Sequence, residues 1–179
     1  MSLAHNYYFL AGKFIIGEYN GNVSPHIVGG EEAQLGSVPH QVSLQDKGYH
    51  YCGGSIVTSN FIFTAAHCCP ETTAHVSIYA GLNNIKSPEE GAQKISVQEV
   101  FIHPNYTDDH LVNDICILRP SEPLELGNKT RTSIISLPPQ GYSPSGNATG
   151  TGWRAIYEGG PGSEKLLSVK VPIVTDEVW

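Results

Sequence analysis

Basic residues are scarce in this chain: 10 lysines and arginines stand against 17 aspartates and glutamates in 179 residues, a net charge of −7. No basic block or basic amphipathic helix is present, which excludes nucleic acid and an anionic membrane surface as partners. Charge of either sign is thin, at 15%. No segment of useful length repeats its apolar residues at the helical period. In the first 26 residues the apolar patch is interrupted by Lys13 and has no basic start. It is far shorter than the roughly 20 residues of a membrane span and reads as a poor secretion signal or a misplaced start. Paired ligand spacing is also missing: His5, His26, His40, His75 and His110 stand alone, so no zinc site is expected.

Glycine and proline, by contrast, are plentiful, with 19 and 12 residues, and 40% apolar content suffices for one good core. Short alternating or apolar runs recur from residue 38 to 135: Gln41 to Gln45, Ser55 to Phe63, Val76 to Tyr79, Ile95 to Ile102 and Ile115 to Leu118. Gly, Pro, Asn and Asp clusters punctuate them, the pattern of an all-β sandwich or barrel. The run Ser55 to Phe63 reads as a buried strand that delivers Thr64-Ala65-Ala66-His67 to an edge. An imidazole there can take a proton from a hydroxyl and pass it to a leaving amine, provided that a carboxylate fixes its tautomer. Asp114, at the mouth of the apolar stretch Ile115 to Leu118, is the candidate, since a buried carboxylate needs a partner. On its own, His67 reads as readily as a packed histidine beside a cysteine.

Four further stretches decide between these readings: Ile27-Val28-Gly29-Gly30, Pro39 to Leu44, Cys52-Gly53-Gly54-Ser55-Ile56 and Thr151-Gly152-Trp153. In this order and with these gaps the chain resembles the chymotrypsin/trypsin family of serine endopeptidases from Ile27 to about Val178. Leu137 to Gly141 and Val171 to Val174 look most like arthropod digestive trypsins. The resemblance implies a double antiparallel β-barrel fold, with a complete six-stranded first barrel and a second barrel only partly present. It implies an N-terminal segment 1–26, a first-barrel unit 27–135 and a linker with incomplete second barrel 136–179. Strands are expected at Thr149 to Trp153 and Leu166 to Val174, with a loop between them at residues 158–163.

The resemblance also implies roles. His67 is general base and acid, Asp114 its orienter, and Ile27 the mature amino terminus released by cleavage after His26. Cys52 and Cys68 fit the family's disulfide across the hairpin. Cys69 and Cys116 either form a second disulfide, because His67 and Asp114 must meet, or remain two small buried thiols. His50 matches a family histidine near the amino-terminal insertion region. Loop Leu82 to Gln93 lies where vertebrate trypsins bind calcium, but Glu89 and Glu90 read as solvated acids and no metal or cofactor is expected. Protein or peptide substrates and protease inhibitors are the implied partners, and secretion the implied location. Four Asn-x-Ser/Thr sequons, at Asn22, Asn105, Asn128 and Asn147, accord with that location.

The family's nucleophile motif, Gly-Asp-Ser-Gly-Gly, does not occur in the 179 residues. Ser43 and Ser55 belong to first-barrel strands and Ser163 to a glycine-rich loop, so none replaces it. Trp179 stands where the resemblance places a cysteine, and the chain reads as cut at an exon boundary, inactive as written. The alternative is a non-catalytic homologue that acts as a binding protein. Cleavage specificity is not legible, because the residues that set it in the family lie beyond the matched region. Strands of the second barrel left uncovered are expected to expose Trp153, Leu166, Val169 and Val171 and to favour aggregation.

Overall fold

The computed structural model describes residues 30–153 and 162–173. Nine strands are present among them: β1 (Glu31–Glu32), β2 (Gln41–Asp46), β3 (Tyr49–Thr58), β4 (Phe61–Thr64), β5 (Val76–Ala80), β6 (Gln93–Ile102), β7 (Cys116–Pro120), β8 (Asn147–Gly152) and β9 (Leu167–Pro172). Six of them close into an antiparallel barrel in the order β2-β3-β4-β7-β6-β5, and β1-β9-β8 form a separate three-stranded sheet. Ile27 and residues 1–26, Arg154, most of loop 158–163, Val174 and Trp179 lie outside the described residues. Among the described residues no helix is long and apolar enough to cross a membrane.

The barrel core follows the period of two. Val42 and Leu44 of β2, Ile56 of β3, Ile62 of β4, Ile78 of β5 and Leu118 of β7 point inward and are fully buried. The opposite face of β2 does not meet solvent: Gln41, Ser43 and Gln45 are buried as well. They form a polar row at the junction with the sheet, where Gln45 Nε2 donates to Ser43 Oγ and Thr151 Oγ1 of β8 donates to Gln41 Oε1. Buried polar groups of this kind are tolerated because each finds a partner.

The run Ser55 to Phe63 is not one strand. Ser59-Asn60 turns the chain, with Asn60 N donating to Thr58 Oγ1, and β3 pairs with β4 in the register Ser55↔Phe63 and Ile56↔Ile62. A polar pair inside an apolar run is turn chemistry, and it overrides the hydrophobic continuity. The strand read at Thr149 to Trp153 begins two residues earlier and ends at Gly152. The strand read at Leu166 to Val174 spans Leu167–Pro172.

The expected uncovered face is also corrected. Trp153 and Leu166 are each only 2% exposed, because they pack with Ala33 and Leu82 in a second apolar cluster. Val169 and Val171 are half-buried. Strand β1, which pairs with β9 through Glu31↔Ser168 and Glu32↔Leu167, closes one edge that two strands alone would have left open.

Asn83 ties the sheet to the barrel. Its backbone carbonyl accepts from Trp153 Nε1 at 2.7 Å and from Leu166 N at 2.9 Å, while its side-chain amide donates to the Ala33 carbonyl. Glu89, read as solvated, instead accepts from Asn83 N at 2.9 Å and Asn84 N at 3.2 Å. The guanidinium of Arg131 donates to the carbonyls of Gly81 and Glu90 and so clasps both ends of the same loop. Gly81 has a positive φ of 73°, and a Cβ there would collide with the Thr130 carbonyl. Glycine is what lets the two segments close up.

Candidate active site

Strand β4 ends at Thr64, whose Oγ1 donates to the Gly53 carbonyl at 2.8 Å. A short 3-10 turn, Ala66–Cys68, follows and carries His67. Two cross-links hold this turn from either side: Cys68 is bonded to Cys52 of β3, and Cys69 to Cys116 of β7, with Cα separations of 6.0 and 6.6 Å. The second joins residues that sit two positions beyond His67 and two beyond Asp114. Both candidate site segments are thus fastened to the barrel wall by covalent bonds as well as by sheet pairing.

Asp114 approaches His67 with both oxygens. Oδ2 lies 2.6 Å from His67 Nδ1, and Oδ1 accepts from the His67 backbone N–H at 2.8 Å. The carboxylate side chain is 5% exposed and the imidazole 24%. A carboxylate this enclosed would be costly unpaired, and here His67 satisfies both of its oxygens, one with Nδ1 and one with the backbone N–H. The consequence is a defined tautomer. With Nδ1–H donating to Asp114, the lone pair of Nε2 is left to face the solvent side, where a hydroxyl proton could be received.

Backbone geometry aims the carboxylate. Asn113, immediately before Asp114, has φ 54°, and its carbonyl accepts from Ile115 N at 2.7 Å, a tight reversal around Asp114. Asn side chains tolerate this left-handed conformation better than most. The Asn113 amide donates to the Asn105 carbonyl, and His103 N donates to the Ile115 carbonyl, so the preceding loop braces the turn. The supports Asn105 and Asn113 are not evident in the sequence; an asparagine, tolerant of left-handed backbone, directly before the acid was the available signal. Tyr106, in that loop, has its hydroxyl pKa pushed up to about 12 by desolvation, by its hydrogen bond to Asp108, and by the charges of Asp108 and Asp114.

Other candidates fall elsewhere. Ser43 Oγ lies 2.8 Å from His50 Nδ1, not at His67. Ser55 is buried in β3, and Ser163 bonds locally with Lys165. Among the described residues no hydroxyl is within hydrogen-bonding distance of the His67 ring. One grouping of three ligand-type atoms, from Cys52, His67 and Cys68, lies within 4.8 Å. Its two sulfurs are bonded to each other and offer no thiolate to a metal. His50 packs edge-on against Trp153, with ring centroids 5.4 Å apart, and burial lowers its pKa to about 4. It stays neutral at the barrel–sheet junction.

A closed six-stranded barrel with an imidazole–carboxylate couple at its rim, and a second sheet packed on its flank, matches the first barrel and part of the second in a two-barrel serine peptidase. The comparisons bear this out: the Trypsin family model matches residues 27–179, and the chain belongs to that family. Trypsin-1 of Astacus astacus is 37% identical over 158 residues, covering 84% of this chain and 66% of that protein. Trypsin-1 of Salmo salar is 36% identical over 162 residues, 90% of this chain and 64% of its own length. Chymotrypsin-C of Rattus norvegicus is 36% identical over 162 residues, 86% and 59% respectively. The chain therefore spans about two thirds or less of the length of these curated relatives.

Proposed function

We propose that this chain is part of a secreted trypsin-like serine endopeptidase, in which His67 is the general base and acid and Asp114 holds it in the productive tautomer. The observation that carries the reading is the two-point contact, 2.6 Å to Nδ1 and 2.8 Å to the backbone N–H, between one enclosed carboxylate and one histidine. In the proposed reaction Nε2 takes the proton of a serine hydroxyl as it attacks the scissile carbonyl, then returns it to the departing amine. Protein and peptide substrates, and the inhibitors that mimic them, are the corresponding partners. Residues 27–135 are proposed as the unit that presents the couple, with Ile27 as the mature terminus, and 136–179 as linker and part of a second barrel.

The serine motif Gly-Asp-Ser-Gly-Gly, which would supply both the nucleophile and a donor to the oxyanion, does not occur in the 179 residues. Half a site does not cut, so the chain alone is proposed to be inactive. The test reads the transcript past the codon for Trp179 and assays its product. An in-frame Gly-Asp-Ser-Gly-Gly is expected, together with a loss of about a million-fold in kcat on His67→Ala. A stop codon in the spliced transcript would favour the binding-protein homologue instead. Activity retained by the His67→Ala product would remove His67 from the reaction.

A further inference from the structure

Of the three sequons within the described residues, one lies beside the His67–Asp114 rim. Asn105-Tyr106-Thr107 occupies the turn that leads into the Asp114 segment, and both Asn105 and Thr107 are exposed. The Asn105 backbone is fully engaged: its N–H donates to His103 Nδ1 at 3.2 Å, and its carbonyl accepts from Asn113 Nδ2 at 2.9 Å, one residue from Asp114. Its side-chain amide has no partner among the described residues. Thr107 keeps its hydroxyl at the surface, donating to the Asp109 carbonyl. The backbone is thus held while the amide nitrogen is free, the state in which a bulky, hydrophilic substituent is carried without loss of a contact.

The other two sequons differ. Asn128 belongs to the loop that follows the far end of β7, braced through Gln93 Nε2 to the Glu125 carbonyl, at the opposite end of the barrel from His67. Its Thr130 hydroxyl is buried against Glu125, Gly127 and Thr132. Asn147 opens edge strand β8, paired with Pro172. Of the three sequons among the described residues, only Asn105 would place a glycan over the candidate catalytic rim.

We propose that Asn105 is an N-glycosylation site and that its glycan screens the His67–Asp114 rim from macromolecules. The inference rests on the secreted reading above. In the transfer, Asn105 Nδ2 forms the bond to the anomeric carbon of a lipid-pyrophosphate-linked oligosaccharide. The anomeric C–O bond breaks, the lipid pyrophosphate leaves with the electron pair, and an amide proton passes to solvent. No redox partner is needed.

The experiment expresses the 179-residue chain in cultured animal cells in two forms, with its own amino terminus and behind a cleavable secretion signal, and maps each asparagine by mass after enzymatic deglycosylation. In the signal-bearing form, occupancy at Asn105 is expected. It should be abolished by Asn105→Gln and by Thr107→Ala and retained by Thr107→Ser. A bare Asn105 beside an occupied Asn128 or Asn147, or a chain with its disulfides formed and all three asparagines bare, overturns the assignment. A form with its own terminus that stays inside the cell, its four cysteines recovered as thiols, counts against the secreted reading and leaves the signal-bearing result to decide Asn105. Screening is read by an aspartate-directed endoproteinase acting at exposed Asp108 and Asp109. The glycosylated chain should be cut several-fold more slowly than Asn105→Gln. Equal rates would overturn the screening claim.

Discussion

The barrel and the sheet beside it solve the same problem differently. The barrel has no edge: six strands pair all round, inward-facing Val42, Leu44, Ile56, Ile62, Ile78 and Leu118 are sealed from water, and two disulfides cross its wall. Among the described residues the three-stranded sheet has two edges, one strand only two residues long, and an apolar contribution of little more than Trp153, Leu166 and Leu167. What it lacks in core it takes from the barrel, through Asn83, Gln41 and the His50–Trp153 contact. A small sheet of this kind is marginal by itself. The difference teaches that the barrel is self-sufficient, the sheet is its dependant, and the candidate catalytic couple belongs wholly to the former.

The sharpest way to break this contrast is to hollow each region in turn. Leu118→Ala should cost about 2–5 kcal/mol and lower the whole unfolding transition, since the cavity lies in the closed core. Trp153→Ala removes a comparable or larger side chain but should release chiefly β8, β9 and β1, raising amide exchange there while β2 to β7 stay protected. Amide exchange resolved by strand separates the two. A uniform rise in the Trp153→Ala chain would mean that the regions unfold as one.

Acid is the next lever. His50 has its folded pKa lowered from 6.5 to about 4 by burial at the junction, so below pH 6.5 the unfolded chain binds the proton first. Stability from this group is fully present above pH 6.5 and is lost as pH falls towards 4, by on the order of 3 kcal/mol. Denaturant titrations across that range should show the loss, and His50→Asn should flatten it. An unchanged pH slope in the variant would take His50 out of the account.

These predictions rest on features of uneven legibility. The all-β class could be read from short runs between Gly, Pro and Asn clusters, and the family from motifs around His67, Cys52 and Trp153, because such stretches carry their own chemistry. The turn at Ser59-Asn60 was hidden inside an apolar run, since hydrophobic continuity masks a two-residue reversal. Strand β1 was not legible either: two glutamates have no strand pattern and pair only because β9 presents a free edge. The burial of Gln41, Ser43 and Gln45 comes from the sheet laid over β2, a tertiary fact that alternation cannot carry. Glu89 looked like a solvated acid because its donors are backbone N–H groups, which a sequence does not display.

Smaller effects sharpen the same contrast. Arg131→Ala removes the clasp between the Gly81 and Glu90 carbonyls and leaves the 82–93 loop to Glu89 and the contacts of Asn83, at an expected cost of about 1–3 kcal/mol. That loss should appear in the sheet as well as the loop, because Asn83 lies within it. The least effect is expected from surface ion pairs. Lys165→Ala breaks the exposed pair with Glu32 on the sheet and Arg119→Ala the exposed pair with Glu99 on the barrel, each worth under about 1 kcal/mol and less in salt. Thermal denaturation at low and high ionic strength measures both.

The most direct test follows the proton between His67 and Asp114 while the sheet is loosened. In the Trp153→Ala chain, begun at Ile27 and refolded with its disulfides, proton NMR should still show a low-field Nδ1–H resonance of His67 that vanishes on further substitution Asp114→Asn. Retention would show that the barrel alone holds the couple. Disappearance of that resonance in Trp153→Ala, with Asp114 intact, would contradict the claim that the site belongs to the barrel.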